Sequence, residues 1–397
     1  MPPAPPPAPA LLRVFLDCDE CDSTYLRTEI TFVDYMRDRS DADVHLLVTT
    51  QSTGGGGTSW TLKYIGQNAH AGHDHVVTFT TPQSATSDTR RKEMARVLKI
   101  GLVAYASGTP AIDSLNVTYT KPTTTATTTK KKDPWNFWVF RLSANGNLGG
   151  EESTSNKSYR FNGSANRTTE DWKISISANR SENRSNYDLG DGEIFKSKSS
   201  SWSSSALVGK SAGPRFSYGA RSSASGSTYS NQDLTFSLMP MAEFDVFPYK
   251  ESTRRSLVFS YAAGLAYYNY QQTTIFDKDT EAVPQHSLGA SLNLRQPWGS
   301  LYASANFSQQ LVKLERNRLG LYGSADVRIF KGLSFNIYGD YSRIRDQINL
   351  KKGEASTEDV LLRLRQLQSG YSYYSGFGLS YSFGSIFNSI VNPRFGG

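Results

Sequence analysis

The chain has 397 residues, enough for two domains, and its 43 Lys and Arg against 36 Asp and Glu leave a net charge of +7, too mild for a nucleic-acid-binding tail. Only 38% of residues are hydrophobic, yet aromatics reach 12%, which excludes disorder throughout. No stretch approaches the ~18–20 apolar residues of a spanning helix, so helical membrane proteins are excluded too, and a β-rich chain remains, soluble or built as a membrane barrel.

Residues 1–10, MPPAPPPAPA, hold six of the 16 prolines and read as a polyproline II tether. No apolar h-region precedes them. A barrel needs a signal peptide, which points to a start further upstream or to a processed form.

Residues 11–119 read as an α+β domain. Residues 12–16 form a short strand. Cys18 and Cys21 follow, with Asp22 where a haem site needs His and no other cysteine to complete a zinc site. A local disulfide in an oxidising compartment is favoured over free thiols or a redox pair. The spacing of Tyr25, Ile30, Val33 and Met36 predicts a helix over 23–39. Apolar runs at 44–49, 60–65 and 76–79 predict strands, with a glycine turn at 54–57. Residues 87–107 form the clearest helix, capped by Ser87 or Asp88, with Met94, Val97, Leu98, Gly101, Leu102 and Tyr105 on one face. A strand at 115–119 closes the domain. Residues 120–133, TKPTTTATTTKKKD, form a Thr-rich linker ending in a basic run.

From Trp135 the period becomes two. Trp172, Ile174, Ile176 and Ala178 alternate with Lys173, Ser175, Ser177 and Asn179. Such alternation gives one apolar face and one small, polar or charged face. Twelve strands are predicted near 136–148, 157–167, 171–181, 195–210, 214–226, 232–248, 254–271, 284–296, 299–312, 317–330, 333–347 and 370–384. Several exceed the ~5–6 residues usual in soluble sandwiches. Their connections alternate long and short, as in outer-membrane barrels with short periplasmic turns and long outer loops. An even strand number puts both ends on one side. Aromatics near strand ends (Trp138, Trp172, Tyr249, Tyr267, Trp298, Tyr371) fit an interface girdle. The predicted fold is therefore mainly β: a twelve-stranded antiparallel transmembrane β-barrel over 134–385, a small periplasmic α+β domain before it, and a periplasmic tail at 386–397.

The end of the chain resembles the assembly signal of bacterial outer-membrane proteins: a glycine, two residues, an aromatic, one residue, an aromatic. Gly378, Tyr381 and Phe383 match it. The family usually ends at that last aromatic, whereas fourteen residues follow here, so Phe383 and Phe395 both stand as the residue read by the barrel-assembly machinery. The resemblance covers about two-thirds of the chain and implies a Gram-negative outer-membrane barrel with lipid and that machinery as partners.

Four constellations compete as functional sites. His70, His73 and His75 lie close enough to chelate a metal, but ligands from one short loop seldom close a site, so a solvated hairpin loop is preferred. His286 and Ser287 are adjacent in a strand, point to opposite faces and cannot form a hydrolytic pair. The 54–57 turn lacks the Lys-Ser/Thr of a phosphate loop. The polar barrel face remains, where Arg141, Arg160, Lys173, Arg221, Arg295 and Arg328 join Glu243, Asp245, Asp326 and Asp340. Such charges line a wet pore or lock together as a plug. The expectation is a non-enzymatic narrow channel that weakly favours anions, without cofactor, metal or nucleic-acid partner. The rival is an anchor whose periplasmic domain binds a protein partner. A helical face in 359–368 suggests that the last long loop caps the barrel.

Overall fold

The computed structural model describes residues 11–116, 118, 133–188, 190, 192–356, 359, 364–392 and 394. The proline tether and nearly all of the linker, Lys130–Lys132 included, lie outside these residues, as does Phe395.

The N-terminal domain runs β1 (Leu12–Asp17), α1 (Ser23–Glu29), β2 (Val33–Tyr35), β3 (Val44–Ser52), β4 (Thr58–Gly66), β5 (His75–Thr81) and α2 (Ser87–Ala106). Its five-stranded sheet has the order β2-β1-β3-β4-β5, with β1 parallel to both neighbours. Leu12, Val14, Leu46 and Leu62 from the sheet pack with Leu26 and Ile30, and with Leu98 and Leu102 of α2. Gly101 is required there, because a Cβ would meet the Tyr64 ring at 2.2 Å. The cap of α2 is Thr86, whose hydroxyl accepts from the Thr89 amide at 3.1 Å, rather than Ser87 or Asp88. Cys18 and Cys21 are bonded to each other.

Two expectations are corrected. The helix predicted over 23–39 stops at Glu29, and Val33–Tyr35 is the sheet's edge strand. Residues at i and i+3 suit a helix, but β-branched and aromatic residues also suit a strand, and pairing with β1 decides. Where a closing strand was expected at 115–119, Leu115, Asn116 and Thr118 belong to no strand, and residues 117 and 119 lie outside the described residues.

The second part is a twelve-stranded antiparallel sheet in which each strand pairs with its neighbours in sequence. Its strands are β6 (Trp138–Gly150), β7 (Thr154–Thr168), β8 (Trp172–Asp188), β9 (Ile194–Ser211), β10 (Phe216–Ser227), β11 (Gln232–Asp245), β12 (Arg255–Tyr270), β13 (Thr280–Gln296), β14 (Gly299–Gln310), β15 (Asn317–Phe330), β16 (Leu333–Ile344) and β17 (Tyr371–Tyr381). The ladder ends at β6 and β17, which are not paired with each other. The register keeps like with like: Phe216, Phe244 and Phe259 adjoin on one face, and Ser217, Glu243 and Ser260 on the other. The apolar face is uncovered around the sheet, with Phe140, Phe161, Phe236 and Leu288 all exposed. No described helix is long and apolar enough to cross a membrane.

The sheet curls. Asn349, five residues past the end of β16, donates to the Ser230 carbonyl between β10 and β11 at 2.8 Å. Five residues reach at most about 17 Å, whereas β16 and β11 lie five strand spacings, about 24 Å, apart along the sheet. The loop therefore crosses a chord, with the polar face inside.

Candidate functional site: the inner face and its two mouths

The inner face separates its charges. Arg141, Arg160, Lys173 and Arg221 belong to β6, β7, β8 and β10, set among Ser and Asn: Arg141 pairs in register with Ser164, and Arg160 with Ser181. Hydroxyl and amide ladders run across this wall, such as Asn179 to Ser203 at 2.6 Å and Ser177 to Ser205 at 2.8 Å. Asp326 and Asp340 lie on β15 and β16, on the same face. Arg295 pairs in register with Ser300, beside Asp326.

Three of the residues expected to line a pore do other work. Asp245 is 1% exposed and accepts from the Phe247 and Leu257 amides, both at 3.0 Å, so it organises the β11–β12 turn. Glu243 accepts from the Tyr249 hydroxyl at 3.4 Å, and that tyrosine also meets Ser217, so Tyr249 points inward and is no part of an outer girdle. Arg328 leaves the lumen for the N-terminal domain.

At the short-turn mouth, Arg328 donates both terminal nitrogens to Asp17 at 2.6 Å each. The buried His45 meets the same carboxylate at 2.9 Å. Burial would raise the Asp17 pKa, but the hydrogen bonds from Arg328 and His45 outweigh it and hold it at about 2. Lys331 pairs with Asp41, and the Gly332 amide donates to Asp38 at 2.8 Å. Gln51 reaches Ser252 in the β11–β12 turn at 3.4 Å. A Cβ on Gly54 would lie 2.6 Å from that of Thr168, at the end of β7. The domain thus touches turns after β7, β11 and β15, and so lies across the mouth. The glycine turn at 54–57 is one of its contact points.

The C-terminal tail completes this mouth. Met36 and Phe387 form an antiparallel bridge. The Arg37 amide donates to the Ile386 carbonyl at 2.9 Å, and the Asn388 amide to the Tyr35 carbonyl at 2.7 Å. The residues beyond Phe383 therefore extend the domain's sheet at β2. Of the assembly-signal residues, Gly378 and Tyr381 lie in β17, and Phe383 follows it, stacked on Tyr381 at 5.5 Å.

The loop after β16 covers the other mouth. Asn231, 2% exposed, donates to the carbonyls of Gln272 at 2.8 Å and Asn349 at 3.1 Å. Ile348 and Leu350 are buried, and Thr274 forms a bridge with Lys351. Of the suspected helical segment at 359–368, residues 360–363 lie outside the described residues.

The remaining candidates are held by packing or by the backbone, and the His73 side chain is exposed. His75 stacks on Tyr64 at 4.3 Å and on Tyr105 at 5.3 Å, His70 meets the Tyr105 ring edge-on, and the His73 carbonyl accepts from the Tyr105 hydroxyl. Among the described residues no three such side chains gather to hold a metal ion. His286 meets Gln309 at 3.2 Å between the rings of Tyr261 and Phe307, on the face opposite Ser287.

No family model matches the chain, and no curated protein matches it. Two of the solved structures it is similar to are outer-membrane proteins by their descriptions. One is the translocator domain of the autotransporter NalP from Neisseria meningitidis, at 14% identity and TM-score 0.19, covering 62% of this chain and 82% of that one. The other is the NanC porin, at 9% identity and TM-score 0.29, covering 61% of this chain and 99% of that one. Overlaps of that size add nothing to the strand order and register described above.

Proposed function

We propose that the chain is an outer-membrane β-barrel channel for small polar solutes, closed at rest by its own N-terminal domain on the periplasmic side and by its longest loop on the other. The observation that carries this reading is a polar inner face whose two mouths are covered by hydrogen-bonded, separable contacts rather than by a continuous apolar core. Charge inside a barrel costs little only where water or a counter-charge meets it. The uncovered apolar outer face supports a lipid setting, since soluble proteins seldom expose so large a patch. The short-turn position of the domain and its Cys18–Cys21 bond support the periplasm, where disulfides persist. The basic wall of Arg141, Arg160, Lys173 and Arg221 supports an anion path. The assembly-signal match supports insertion by the barrel-assembly machinery.

The rival reading, an anchor whose domain binds a periplasmic partner, draws on the β2 edge, which accepts an extended segment. Planar-bilayer recording separates the two. The wild-type chain should open rarely, Arg328→Gln should open more often, and Met36→Cys with Phe387→Cys should stay shut when oxidised. No conductance from any of the three would overturn the channel in favour of the anchor.

A further inference from the structure

The inner face of β14–β17 carries a feature that neither charge segregation nor mouth closure explains. In register across these four strands lie Tyr302, Ser324, Tyr338 and Gly376; the next row is Ser304, Tyr322, Asp340 and Tyr374. The four tyrosines form a checkerboard with Asp340 between Tyr322 and Tyr374. They occupy a face built elsewhere mostly of Ser, Asn, Gly and Ala, and they are not packed away: their exposures are 41%, 43%, 40% and 61% for Tyr302, Tyr322, Tyr338 and Tyr374. Phenol rings left wet inside a lumen add little to stability.

In register, Tyr322 and Tyr374 flank Asp340 on either side, and Tyr338 stands two residues along the same strand. Tyr302 and Tyr322 lie 5.6 Å apart, tilted by 55°, and Tyr338 and Tyr374 lie 5.8 Å apart, tilted by 41°, with their hydroxyls 3.3 Å from each other. Gly376 leaves the space the Tyr338 ring uses, because a Cβ there would meet its Cζ and Oη at 2.6 Å. Among the described residues no cation answers Asp340: the ion pairs of this wall are Arg318 with Asp346 and Arg328 with Asp17. Arg141, Arg160, Lys173 and Arg221 stand on β6–β10, and Arg295 of β13 lies beside Asp326 rather than Asp340.

We propose that this wall is a binding site for a small organic cation, a quaternary or primary ammonium solute. Ring faces are negative and attract a cation within about 6 Å, and a carboxylate adds full charge to the same spot. Tyr322 and Tyr374 stand two strand spacings apart, roughly 10 Å, which leaves room for a methylated ammonium over Asp340. A neutral sugar gains nothing from the Asp340 charge, whereas an ammonium solute uses both the ring faces and the carboxylate.

The test is ligand-observed NMR with choline chloride on the full chain in detergent, equilibrated with wild type and with Arg328→Gln, whose loosened mouth removes access as the limiting step. The site deepens the channel reading but is tested by binding, so absence of conductance leaves the result intact. Choline should bind, Tyr374→Phe should retain binding, and Tyr374→Ala and Asp340→Asn should each weaken it at least about tenfold, as expected when both π face and charge contribute. Heat-modifiable gel migration of each variant checks folding. No choline binding to Arg328→Gln, unchanged binding in Asp340→Asn, or tighter binding of maltose than of choline would each overturn the proposal.

Discussion

Acid, or loss of Asp17, should release the N-terminal domain from the short-turn mouth. The Asp17 carboxyl is lowered from 3.8 to about 2. At ~1.36 kcal/mol per unit this is roughly 2.5 kcal/mol favouring the ionised, paired state. His45 supplies part of it from within the domain and stays in place when the domain leaves. The bond to Arg328 therefore carries less than the whole, on the order of 1 kcal/mol, or roughly five- to tenfold in the docking equilibrium. Because the docked pKa is depressed, this contribution is fully present above pH ~4 and lost as pH falls through about 2. Spin labels at Lys92→Cys on α2 and Lys250→Cys at the β11–β12 turn give a narrow distance distribution when the domain is docked. Asp17→Asn at neutral pH should raise the ratio of broad to narrow population roughly five- to tenfold, and Arg328→Gln at least as much, since it also strands a buried carboxylate. An unchanged distribution in both variants, or tighter docking in acid, would refute the reasoning.

Three other predictions concern separate parts of the chain. Gly101→Ala should destabilise the N-terminal domain by about 1–3 kcal/mol through the clash with Tyr64, despite the better helix propensity of alanine, lowering its melting step while the barrel's heat-modifiable migration persists. Met36→Cys with Phe387→Cys should oxidise readily to a disulfide, because a non-hydrogen-bonded antiparallel pair holds its Cα atoms about 4.5 Å apart; peptide mass spectrometry finding only free thiols would exclude the tail strand. Asn231→Ala should free the loop after β16 by about 2–3 kcal/mol, leaving two carbonyls without their donor, and faster protease nicking within 351–369 is the expected readout.

The twelve strands were legible because their signal is local. Alternation such as Ile174, Ser175, Ile176, Ser177 fixes a strand and its two faces without knowledge of any partner, and short turns fix which strand comes next. That is why eleven of the twelve strands start and stop within about four residues of where they were expected, β8 alone running on to Asp188 where an end at 181 was expected, and why the disulfide between residues three apart was also visible. Edge strand β2 failed on the same ground: Val33 and Met36 fit a helical spacing, and only β1 on one side and Phe387 on the other make the segment extended. Arg328 was placed on the correct face from its parity, yet its partner Asp17 lies 311 residues away in another domain. The Tyr302, Tyr322, Tyr338 and Tyr374 cluster was missed for a related reason. Each tyrosine alone looks like girdle or packing, and they form one group only when the registers of four strands are set side by side. Alternation specifies which face a residue occupies, but not what lies beside it on that face or across a mouth. Those neighbours are decided by register, by the curl of the sheet and by the docking of the domain, which bring together residues that no sequence window contains.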